Sequence, residues 1–99
     1  MVLGHSGCGA VDAAIKVLKT KAVLPGHLPE LIRTIKPAVI AAEKTKTGDL
    51  LDNAVAENVR RQVARLKSSR PIVQKLYAGK KIDIVGAVYD LATGKIAII

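Results

Sequence analysis

The sequence predicts an α/β fold, with helices packed on a small sheet that closes in a C-terminal β-hairpin. Three observations carry this. Apolar residues recur at three-to-four spacing in the middle of the chain, and an unbroken apolar run stands near each end. Gly and Pro clusters separate these stretches. All 99 residues, with 49% in the hydrophobic set, suffice for one core and no more. The domain expectation is therefore 1–99 as a single unit.

Met1-Val2-Leu3 reads as a fragment of a strand running into a small-residue loop, Gly4 to Gly9. A helix is expected from about Ala10 to Lys21, with Val11, Ala14, Ile15 and Leu18 on one face. Leu24 to Pro29 is a turn cluster. A short helix should run from Pro29 to Ile35. Pro37 lacks an N–H, so a new helix is expected to start there and run through Ala41-Ala42.

Thr45 to Gly48 is a polar linker, and Asp49 is the expected N-cap of a longer helix reaching about Ser68. Leu51, Val55, Val59, Val63 and Leu66 keep the helical period. Ser69-Arg70-Pro71 punctuates it. A short helix over Ile72–Tyr77 ends at Gly79. Ile82 to Tyr89 reads as a strand covered on both faces, since only Asp83 breaks its apolarity. Asp90 to Gly94 is then a hairpin loop, and Lys95–Ile99 the returning strand.

No apolar run reaches the roughly 18 residues of a membrane span, so no membrane partner is expected. No secretory signal is visible. The single cysteine cannot form an internal disulfide, which points to a reducing, cytoplasmic setting. The net charge is +8. Arg60, Arg61, Arg65, Lys67, Arg70, Lys75, Lys80 and Lys81 form a window without an acid. A solvated helix face and a polyanion-binding face both fit such a window. No RNA-reading aromatic stretch or zinc-finger spacing accompanies it, so a nucleic-acid partner is not expected.

His5 and Cys8 are the candidate metal ligands. An imidazole nitrogen and a thiolate both suit zinc, and Gly7 between them permits a tight turn. Cys8 should stand at a helix N-terminus, where the dipole favours thiolate. The glycines also invite a phosphate-loop reading, but their spacing fits neither phosphate-binding pattern. Asp12, one turn after Cys8, is either a further donor or a first-turn acid favoured by the dipole. His27 reads as a surface loop histidine.

As a set, these residues become specific. Val2-Leu3-Gly4-His5-Ser6-Gly7-Cys8-Gly9-Ala10-Val11 resembles the zinc loop of the β-class carbonic anhydrases. The likeness continues through Leu28–Val39, Ala56–Val63 and the closing hairpin Ile84–Ile96, in the family's order. The resemblance implies an incomplete β-carbonic-anhydrase-like fold. It also implies zinc held by His5 and Cys8, and reversible hydration of CO2 to bicarbonate and a proton. It further implies a homo-oligomer.

The family's other motif, Cys-x-Asp-x-Arg, supplies the remaining cysteine ligand and an Asp–Arg dyad. It has no counterpart here, because Cys8 is the only cysteine. The chain matches the family's C-terminal half and reads as truncated. A catalytic zinc site usually has three protein ligands, so this chain alone is expected to be inactive. No catalytic acid or base is assigned. The alternative is a non-catalytic remnant or assembly module with a basic, polyanion-binding face.

Overall fold

The computed structural model describes residues 1–99. Its elements are β1 (Val2–His5), α1 (Gly9–Thr20), α2 (Leu28–Glu43), α3 (Leu50–Lys67), α4 (Ile72–Ala78), β2 (Gly86–Tyr89) and β3 (Ile96–Ile98). The sheet order is β1-β2-β3. β1 runs parallel to β2, with Val2 opposite Gly86 and His5 opposite Tyr89. β3 returns antiparallel, with Tyr89 opposite Ile96. Four helices on a small mixed sheet match the predicted class.

The core lies mainly among α1, α2 and α3. Val11, Ala14 and Ile15 meet Ile32, Ile35, Val39 and Ala42, with Ala54 and Val55 completing the cluster. Small and branched side chains fill it, as expected of a chain with no Phe or Trp. Asp49 caps α3, its carboxylate accepting from the Asp52 amide at 3.1 Å.

The sheet reaches the helices through glycine. A Cβ on Gly4 would lie 2.6 Å from a Val59 methyl, and one on Gly86 2.7 Å from the other Val59 methyl. Only hydrogen at these two positions lets β1 and β2 lie flat on α3. The alternation of strand side chains then turns the next residues the opposite way. Leu3, Ala87 and Ile98 form one row on that far face, and His5, Tyr89 and Ile96 the next. Leu3 is 53% exposed, Ile96 53% and Ile98 62%.

Four expectations are corrected. The break at Pro37 is absent: α2 is one helix with Pro37 inside it. Ile32, Ile35, Ala38, Val39 and Ala42 form a single buried stripe across the proline, while Pro37 itself faces solvent. Burial along the whole stripe outweighs the lost hydrogen bond, and the Arg33 carbonyl that Pro37 leaves free is on the wet side.

The strand expected from Ile82 begins only at Gly86. Its first neighbour, Val2, pairs there, and the Ile84 amide is taken instead by the Asp83 carboxylate at 2.8 Å. Cover on both faces is also not found, since α3 packs on one face while on the other Leu3 and Ile98 are exposed on either side of the buried Ala87. Conversely, Gly4 and His5, read as loop, extend β1 because they pair with Val88 and Tyr89. No helix is long and apolar enough to cross a membrane.

Candidate metal centre

His5 is the last residue of β1, and Cys8 is the N-cap of α1. Ser6 and Gly7 make the turn between them. Gly7 has φ +61°, a left-handed conformation that a side chain would strain. The turn is tied to the far end of the chain. The Ser6 amide donates to the Tyr89 carbonyl at 2.9 Å, and the Ser6 hydroxyl accepts from the Leu91 amide at 2.9 Å. The loop therefore sits at the carboxyl end of the parallel pair, where ligands bind in α/β sheets.

His5 Nδ1 lies 2.9 Å from the Ser6 carbonyl oxygen. A carbonyl only accepts, so this contact places the proton on Nδ1 and leaves Nε2 with its lone pair in the neutral ring. A histidine that donates one nitrogen to a carbonyl and offers the other is the usual metal-ligating arrangement. The Cys8 thiol is free and half-buried, and makes no capping hydrogen bond. Two donors thus flank one turn at the start of a helix.

The other candidates lie apart from this pair. The Asp12 carboxylate is engaged by Lys16 at 3.0 Å, one helical turn on. That supports the reading of a first-turn acid. His27, whose side chain is 95% exposed, caps the start of α2 and stands 3.6 Å from Glu30. No group of three or more His, Cys, Asp or Glu side chains comes together anywhere in the chain. The residues present therefore do not fit a complete zinc site.

Sequence reasoning passed over Ser6. Its hydroxyl joins the loop to the hairpin, and it lines a surface cavity of about 640 Å³ with Asp52, Val55, Val88, Asp90 and Lys95. Neither His5 nor Cys8 lines that cavity. A serine in a glycine loop carries no local sign of a partner near the other terminus.

β1 is an edge strand. Its Val2 and Ser6 amides donate to Val85 and Tyr89. The alternation of a parallel ladder therefore turns the N–H and C=O of Leu3 and His5 to the unpaired side. The metal-loop histidine thus sits on a free sheet edge.

The carbonic anhydrase family model matches residues 1–96. A carbonic anhydrase of Mycolicibacterium smegmatis is 34% identical over 97 residues, covering 97% of this chain and 46% of that protein. Carbonic anhydrase 2 of Mycobacterium tuberculosis is 27% identical over 95 residues, covering 96% and 45%. Among solved structures, the β-carbonic anhydrase CcaA superposes with a TM-score of 0.73 at 23% identity, covering 98% of this chain and 48% of that one. A tetrameric β-carbonic anhydrase of Sordaria macrospora gives 0.78 at 18% identity, covering 98% and 49%. The chain spans about half the length of the relatives it matches. With the strand–turn–helix loop and the closing hairpin both in place, this chain belongs to the β-class carbonic anhydrase family.

Proposed function

We propose that the chain contributes the zinc-loop half of a carbonic anhydrase site, serving the reversible hydration of CO2 to bicarbonate and a proton. The family match across residues 1–96, with His5 and Cys8 flanking one turn, is the observation that supports this most. Zinc in such enzymes acts as a Lewis acid that makes water a nucleophile at neutral pH.

This chain's own contribution is to hold donors. The Ser6 carbonyl fixes the His5 tautomer, and the Cys8 thiol stands at the N-cap of α1 with no hydrogen bond to the helix end. Two donors fall one short of the three protein ligands of a catalytic zinc site. The isolated chain is therefore inactive in our reading, and the rest of the site comes from polypeptide outside these residues. A cytoplasmic homo-oligomer is the form we assign to it. The exposed Leu3 and Ile98 side chains and the tetrameric state of the Sordaria relative support association.

Stopped-flow CO2 hydration with added zinc tests the proposal. The expected rate is that of buffer. Turnover that vanishes in Cys8→Ser would instead mean that the chain completes its own site.

The second reading is a non-catalytic assembly module with a polyanion-binding face. The incomplete donor set favours it, since a domain that cannot hold zinc tightly can still offer a charged surface.

A further inference from the structure

Sequence spacing alone argues against a nucleic-acid partner, because no aromatic series accompanies the basic window. Folding changes the arrangement. The end of α3, part of α4 and the segment that follows it form two shallow cavities that share Tyr77 and Ala78 as a common wall. One, of about 480 Å³, is lined by Lys67, Ser68, Arg70 and Gln74. The other, of about 600 Å³, is lined by Lys80, Lys81, Ile82 and Asp83. The only tyrosine of this region thus stands midway along a groove with two cations on each side.

The cations of the groove are unpaired. Arg60 and Arg61 pair with Glu57 at 3.8 and 3.4 Å, which removes them from the count. Lys67, Arg70, Lys80 and Lys81 make no ion pair, nor do Arg65 and Lys75 beside them; the only other salt bridges are Asp12–Lys16 and His27–Glu30. The one acid, Asp83, lines the second cavity; its carboxylate accepts the Ile84 amide and pairs with neither Lys80 nor Lys81, so four cations face a single carboxylate. The Lys67 ammonium lies 5.1 Å from the Tyr77 ring centroid, so a cation and an aromatic surface meet at the groove's midpoint. Basic residues along a groove with an aromatic platform are what a single-stranded nucleic acid requires: cations for successive phosphates and a ring for a base.

We propose that the groove of Lys67, Arg70, Tyr77, Lys80 and Lys81 binds single-stranded nucleic acid. It is separate from the His5–Cys8 loop, and it does not depend on the carbonic anhydrase reading. Four phosphate contacts on a single strand give a slope of log affinity against log salt of about −2.8.

The test is fluorescence anisotropy of the full chain with a labelled dodecathymidylate, from low to physiological salt. Lys80→Glu/Lys81→Glu is expected to weaken binding by about tenfold or more and to halve the slope to about −1.4. Lys19→Glu/Lys44→Glu makes the same change in net charge outside the groove and should leave both nearly unchanged. In a Tyr89→Phe chain, Tyr77 is the sole tyrosine, and its fluorescence should be quenched by the oligonucleotide but not by heparin. Equal losses in the two charge-reversal variants would overturn the proposal, as would no binding at low salt. Quenching that is absent with DNA, or equal with heparin, would replace it with a general polyanion site. Far-ultraviolet circular dichroism confirms that each variant is folded.

Discussion

The Ser6 hydroxyl accepts the Leu91 amide at 2.9 Å across 85 positions of sequence. This bond and the Ser6 amide to Tyr89 pin the metal-loop turn to the hairpin that ends the chain. Ser6→Ala removes the acceptor and leaves the Leu91 amide to water. It should cost about 1 kcal/mol, seen as a lower urea midpoint at unchanged slope. No change in midpoint would mean the bond adds nothing to the folded state.

Gly4→Ala should be more damaging than its size suggests. The new Cβ would enter at 2.6 Å from Val59 and 3.1 Å from Val55, inside the packed contact of β1 with α3. Overpacking of this kind costs about 1–3 kcal/mol. The same substitution on a Val59→Ala background should cost less, and the double-mutant cycle measures the difference. Additive losses would remove the steric explanation.

Pro37→Ala should stabilise the protein. It restores an N–H that can donate to the Arg33 carbonyl in the middle of α2, at an exposed position where no packing is lost. A helix-interior proline costs about 3 kcal/mol, partly offset by the restriction it places on the unfolded chain. A net gain of about 1 kcal/mol would raise Tm by about 4–8 °C in a domain of this size. A fall in Tm would show that the ring contributes contacts of its own.

Zinc binding to the isolated chain should be weak and should require both donors. His5→Ala and Cys8→Ser are each expected to lower zinc affinity by tenfold or more in calorimetric titration, a loss of about 1.4 kcal/mol. Asp12→Asn should not, because that carboxylate serves Lys16. Affinity should rise with pH, since both donors bind metal only when deprotonated. An effect of Asp12→Asn equal to that of Cys8→Ser would make Asp12 the missing ligand.

Association should follow the open sheet face. Ile98→Lys places a charge in the row of Leu3 and Ala87, where Ile98 is exposed. Sedimentation should show a smaller oligomer in the variant than in the parent chain at equal concentration. Identical behaviour would place the contact elsewhere.

The parts of this fold that depend on local chemistry were readable in advance. Asp49 announced α3, and the spacing of Val11, Ala14 and Ile15 announced α1. Features set by distant neighbours were not. Pro37 reads locally as a boundary, and only the stripe buried on both sides of it keeps α2 whole. The ends of β1 and β2 are set by each other, so neither could be placed from its own residues. The site divides in the same way. His5 and Cys8 are legible because their spacing and glycine turn are local. The role of Ser6 depends on a partner near the opposite terminus.

The unpaired side of β1 has a kinetic signature. Amides held in a ladder exchange with deuterium only when the structure opens, whereas those facing water exchange from the native state. Val2, Gly4 and Ser6 point into the sheet, while Leu3 and His5 point out. The strand should therefore show protection alternating residue by residue, slow at Gly4 and Ser6 and fast at Leu3 and His5. A polypeptide laid against that edge would slow Leu3 and His5 and flatten the alternation. The exchange rate of the His5 amide is thus a gauge of whether the metal loop stands at the rim of the sheet or inside it.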